Sequence, residues 1–136
     1  MPALPAAVSQ TDRICLSHLF RGLMEHGEAR GVKSFPALNS NLWDKLLYDL
    51  KERYPTEFGR FVFEWDGPVP VSRDVDDVMF GLQFMCLERR GDERISLQPD
   101  AIRVQNSTFF SVPQNFEEII GAAFDIASGI EGFLER

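Results

Sequence analysis

The sequence predicts an α+β fold, mainly helical, with a small antiparallel sheet and a C-terminal helix. Four stretches repeat apolar residues at helical spacing. Phe61, Phe63 and Trp65 alternate along an extended run that enters a Gly67-Pro68 turn. Residues 95–104 read as strand, Gln98-Pro99-Asp100 turn and returning strand. At 136 residues with 44% apolar content, the chain suits one domain with a sizeable core. Residues 11–136 are assigned to that domain and residues 1–10 to a flexible tail.

The first helix is expected over 11–26, capped by Thr11 or Asp12 and ended by Gly27, with Leu16, Leu19, Phe20 and Leu23 facing inward. A loop over 27–38 follows, and Phe35 and Leu38 tuck under the next helix. Asn39 or Ser40 caps the second helix, whose stripe is Leu42, Leu46, Leu47, Leu50 and Tyr54; Pro55 stops it. Lys45 and Asp49 form an i,i+4 pair on its solvated face.

Alternation sends the rings of Phe61, Phe63 and Trp65 into one core. The same alternation leaves Glu64 and Asp66 in solvent, so they do not read as a catalytic carboxylate pair. Ser72 caps a third helix with Asp74 in its first turn, and Val75, Val78, Met79, Leu82, Met85 and Cys86 repeat at helical spacing. Arg89-Arg90-Gly91-Asp92 closes it. Pro113 opens the fourth helix, with an apolar face of Phe116, Ile119, Ile120, Ala123, Ile126 or Ala127, and Ile130. Gly121, Gly129 and Gly132 weaken that helix, so it must dock on the domain or a partner. Residues 113–134 could equally pair with a second copy.

A helix pair, a strand, a third helix and a hairpin together look winged-helix-like. The 95–104 hairpin is the wing in that arrangement, and Phe61–Trp65 a third strand beside it.

Composition narrows the function. The net charge of −7 is spread as −1 over residues 1–71, −2 over 72–104 and −4 over 105–136. A duplex binder clusters Lys and Arg against phosphates, and this chain has no such block. No apolar run reaches the ~20 residues that span a bilayer. The start lacks the basic leader and apolar length of a signal peptide, so a cytoplasmic location is expected. Cys15 and Cys86 read as small buried hydrophobes. His18 and His26 lie eight apart without a Cys-x-x-Cys, so no metal or other cofactor is expected. No nucleophile elbow or Walker loop is present, which argues against an enzyme.

Two segments carry a family resemblance. Leu42-Trp43-Asp44-Lys45-Leu46-Leu47-Tyr48 is similar to the leucine-x-lysine-leucine-leucine-tyrosine helix of Panacea-domain proteins. Glu64-Trp65-Asp66-Gly67-Pro68-Val69 resembles their alanine-tryptophan, glycine-proline-valine turn. The interval matches, and a shorter helix (here Ile14–His26) precedes both. The likeness spans about residues 13–80; after residue 90 the family's later histidine and tryptophan segment is replaced by the hairpin and final helix. The resemblance implies an antitoxin-like role, in which the chain neutralises a small toxin by direct contact or delivers it to a protease.

The expected function is therefore a non-enzymatic protein–protein binding module, antitoxin-like or adaptor-like. Trp43, Trp65, Asp74, Asp76 and Asp77 are its candidate partner-binding residues. Its partner is another protein, such as a cognate toxin or a protease component, and an acidic surface speeds capture of a basic one. The alternative is a winged-helix DNA-binding regulator touching phosphates through Arg89, Arg90, Arg94 and Arg103 around the wing. Asp74, Asp76 and Asp77 near the start of the groove-reading helix repel the DNA backbone and count against it.

Overall fold

A computed structural model of the chain describes residues 9–91, 93–98 and 115–136. It is an α+β fold, mostly helical, with a small antiparallel sheet and a C-terminal helix. Helix α1 (Gln10–Glu28) is capped by Ser9 rather than Thr11 or Asp12. Ser9 Oγ accepts the Asp12 N–H at 3.1 Å while the Asp12 carboxylate accepts the Ser9 N–H at 2.9 Å, a reciprocal capping box. Leu16, Leu19, Phe20, Leu23 and Met24 of α1 are buried. Gly27 does not end the helix. A Cβ there would sit 3.0 Å from the Phe35 ring, so a larger residue would push that ring by a few tenths of an ångström.

Phe35–Pro36 forms strand β1, inside the stretch expected to be loop. Helix α2 (Asn41–Arg53) starts at Ser40, whose Oγ accepts the Leu42 N–H at 3.2 Å. Pro55 ends α2 and opens a short helix α3 (Pro55–Phe58), its fixed φ suiting a first helical position. Strands β2 (Glu64–Asp66) and β3 (Val69–Val71) pair antiparallel across the Gly67-Pro68 turn, with Trp65 opposite Pro70. Gly67 has φ 61°, a left-handed geometry that favours glycine. Helix α4 (Arg73–Met85) begins after Ser72 as expected and buries Val75, Val78, Met79 and Leu82.

Strand β4 (Leu87–Arg89) occupies residues expected to close α4, and β5 (Arg94–Leu97) returns beside it. The sheet order is β1-β5-β4, antiparallel throughout, with Phe35 opposite Ile95 and Leu87 opposite Leu97. Strands β4 and β5 thus pair as neighbours, and β2 pairs with β3 in a separate sheet instead of joining them. The expected return strand 101–104, with Arg103, and the Pro113 helix start lie outside the described residues.

Helix α5 (Phe116–Ser128) packs on α1 and α2. Ile119, Ala122, Ala123 and Ala127 are buried, so the helix docks on its own domain, one of the two expected outcomes, with Phe116, Ile120, Ile126 and Ile130 half-buried. Docking offsets the roughly 1 kcal/mol that Gly121 costs the isolated helix. Among the described residues, no helix is long and apolar enough to cross a membrane.

Candidate interaction surfaces

Helix α4 presents two unlike faces. Inward, Val75, Val78, Met79 and Leu82 join the core with Cys86 just beyond the helix. Outward, Asp76, Asp77, Phe80, Gly81 and Phe84 follow helical spacing into solvent. Phe80 is 61% exposed and Phe84 73% exposed. Their rings contact each other edge-to-face at 5.1 Å and 79°, so the pair is organised without being covered. Beside them lies a groove of about 390 Å³ whose walls include Leu38, Phe80, Gln83, Leu87, Arg89 and Ile95.

The start of α4 is held from α2. Asp44 is 1% exposed, and its Oδ1 accepts the Ser72 N–H at 2.8 Å. Burial raises the Asp44 pKa to about 6; the Ser72 N–H pulls it down, and nearby Asp76 pushes it further up. Ser72 Oγ is buried without a hydrogen-bond partner among the described residues, so the helix is capped by Asp44 rather than by its own serine. The Asp76 pKa is raised as well, by partial burial and then by Asp77.

A second aromatic surface lies on the β2–β3 hairpin. Tyr48 of α2 meets Trp65 at 5.1 Å and Phe63 at 5.4 Å, both edge-to-face. Lys51 donates to the Phe61 carbonyl at 2.7 Å and stands over the Phe63 ring at 5.7 Å. Of the three rings expected in one core, only Phe61 is buried; Phe63 is half-buried and Trp65 is 56% exposed. The extended strand covers only Glu64–Asp66, all exposed, so alternation does not run through the three rings; Phe63 packs against the edge of the core and Trp65 against Tyr48. Trp65 remains available at the surface, with Glu64 and Asp66 exposed beside it.

The other candidates separate. Trp43 is fully buried between Phe20 at 5.0 Å and Phe133 at 4.8 Å, and its Nε1–H donates to the Pro36 carbonyl at 3.0 Å. It anchors the core and cannot meet a partner. Asp74 pairs with Arg13 at 3.1 Å, which ties α4 to α1. Asp76 and Asp77 stay exposed.

Among the arginines, Arg94 is an internal staple. Its guanidinium donates to Ser34 Oγ at 3.0 Å and to the carbonyls of Ser34 at 2.8 Å, Phe133 at 2.9 Å and Gly132. Arg90 donates to Ser96 Oγ at 2.9 Å, and Arg89 is exposed on β4. These arginines do not converge on one free basic face.

A cleft of about 460 Å³ between α1 and α5 includes His26, Glu25, Arg30 and Glu117 in its walls. The His26 pKa is lowered by burial and Arg30, and its ring packs on Phe124 at 4.9 Å. Among the described residues, none that lines the cleft is a serine, threonine or cysteine. Burial raises the thiol pKa of Cys15 and Cys86. Among the described residues, no cluster of His, Cys, Asp and Glu could hold a metal ion.

Phe80 and Phe84 escaped the sequence reading, although the signal was present: two aromatics four apart, on the side of the helix opposite its apolar stripe. No protein-family model, curated protein or solved structure matches this chain.

Proposed function

We propose that the chain is a non-enzymatic protein-binding module, antitoxin-like or adaptor-like, that holds its partner on the outward face of α4. The exposed Phe80–Phe84 pair carries this reading. Two phenylalanines left in water at consecutive turns contribute little to the fold, and aromatic anchors of this kind dominate protein interfaces. Trp65 supplies a second exposed anchor.

The chain order α1, β1, α2, α4, β4, β5 with sheet order β1-β5-β4 supports a winged-helix-like reading in which α3 and the β2–β3 hairpin are insertions. In that arrangement α4 is the helix a DNA-binding relative would lay in the major groove. Its outward Asp76, Asp77, Phe80 and Phe84 suit an apolar, cationic protein surface and repel phosphates. The resemblance to Panacea-domain proteins adds toxin neutralisation or delivery as the role.

The test is co-purification of the tagged chain from its native host, as wild type and as Phe80→Ser/Phe84→Ser. The reading expects one protein recovered in stoichiometric amount with wild type and lost with the variant. Recovery of the chain alone, or of a DNA complex at low salt, would overturn it.

A further inference from the structure

We propose that the occupant of the α4 surface is a basic amphipathic helix of the partner, laid across Gly81; this rests on the binding-module reading above. Gly81 is the observation that singles out a helix. It sits mid-helix on the exposed face between Phe80 and Phe84, and a Cβ built there meets nothing within 4 Å. The fold therefore gains nothing from glycine at this site, while the helix is weaker by roughly 1 kcal/mol than with alanine. Gly27 in α1, by contrast, lies tight against the Phe35 ring. A glycine notch flanked by two aromatic knobs lets a second backbone approach toward the short end of the ~8–10 Å range of helix packing.

The charge on the same face selects the partner's chemistry. Asp76 and Asp77 are exposed one turn before Phe80, and neither enters an ion pair among the described residues. Partial burial and the Asp77 charge already disfavour the ionised form of Asp76. A lysine or arginine docked there relieves that repulsion, and the chain's net charge of −7 attracts such a partner from a distance. The groove beside Phe80, walled by Leu38, Leu87 and Ile95 together with Glu88, Arg89 and Arg94, receives the partner's apolar side chains, while its basic ones lie toward Asp76 and Asp77. The result is a helix-in-groove contact read by anchors at i, i+3 or i+4, and i+7.

Binding of two labelled helical peptides to the full chain tests this, measured by fluorescence anisotropy. Both carry leucines at i, i+3, i+4 and i+7; one has lysines along the flanks and the other glutamates. The lysine peptide is expected to bind at least about tenfold more tightly at low salt, the gap narrowing as salt rises. Gly81→Gln fills the notch with a good helix former, so it should weaken the lysine peptide about tenfold or more without lowering Tm. Asp76→Asn/Asp77→Asn should erase most of the preference for lysine over glutamate.

Equal binding of the two peptides, no binding of the lysine peptide, or indifference to Gly81→Gln would overturn the proposal. So would light scattering showing a second copy of this chain on the face. Partner capture that depends on Phe80 and Phe84 but ignores Gly81→Gln would leave the module reading standing and remove the helix. A wild-type chain that captures no partner would remove both.

Discussion

Asp44 of α2 caps α4: its buried Oδ1 accepts the Ser72 N–H at 2.8 Å, in place of the Ser72 side chain. One carboxylate from the second helix thus sets the start of the helix whose outer face carries the binding surface. Burial charges that arrangement with a pH dependence. The Asp44 pKa is about 6 in the folded chain against an ordinary 3.8, so between those values the folded state holds a proton that the unfolded state has lost. This group's contribution to stability is complete below the lower value and is lost as pH rises through the upper one. Urea titrations should show wild type losing stability between about pH 4 and pH 7 relative to Asp44→Asn. Asparagine keeps an acceptor for Ser72; Asp44→Ala does not, and should be less stable than Asp44→Asn by about 1–3 kcal/mol.

Two helix glycines should respond oppositely to alanine. Gly27→Ala drives a methyl into the buried Phe35 ring and should cost about 1–3 kcal/mol. Gly81→Ala meets open space and should gain about 0.5–1 kcal/mol. Thermal melts of the two single variants are sufficient to check the signs.

Arg94 holds the end of the chain. Its guanidinium fork joins β5 to Ser34 beside β1 and to the Gly132 and Phe133 carbonyls beyond α5. Lysine keeps the charge and loses the planar fork, so Arg94→Lys should cost about 1.5–3 kcal/mol. Hydrogen exchange should show the loss concentrated after α5, where amides near Phe133 open more readily.

The two tryptophans should report different surroundings. Trp43 is sealed between Phe20 and Phe133, whereas Trp65 is 56% exposed. Trp65→Phe should leave blue-shifted emission shielded from acrylamide; Trp43→Phe should leave red-shifted, quenchable emission. Trp43→Phe also strands the Pro36 carbonyl, at a cost of about 1–3 kcal/mol.

Legibility in the sequence followed the length of the local signal. Helix α2 was readable nearly to the residue, because Ser40 precedes a long apolar stripe and Pro55 bounds it; Ser72 marked the start of α4, but its end was read past Met85, through the residues that form β4. Strand β1 was not readable, since two residues ending in proline carry no period. Strand β4 was hidden because Arg89-Arg90-Gly91 also fits the basic, glycine-terminated end of a helix.

The candidate site was half legible. Asp76 and Asp77 lie at the surface as read and Asp74 is tied to Arg13; Trp65, sent into the core by alternation, is exposed, whereas Trp43 is buried. Its fate depends on Phe133, ninety positions away, which only the folded chain brings to its ring. Asp44 looked like one more polar residue in a first turn; its burial follows from where the β2–β3 hairpin delivers Ser72. Arg94 looked like wing charge because nothing local reveals that the C-terminal carbonyls converge on it.

The α4 surface can be examined with the bound partner in place, by amide chemical-shift mapping of the labelled chain. The largest perturbations should fall on Arg73–Met85, centred between Phe80 and Phe84, with smaller ones near Leu38 and Ile95. Perturbations confined to α1 and β4, with α4 silent, would contradict this account.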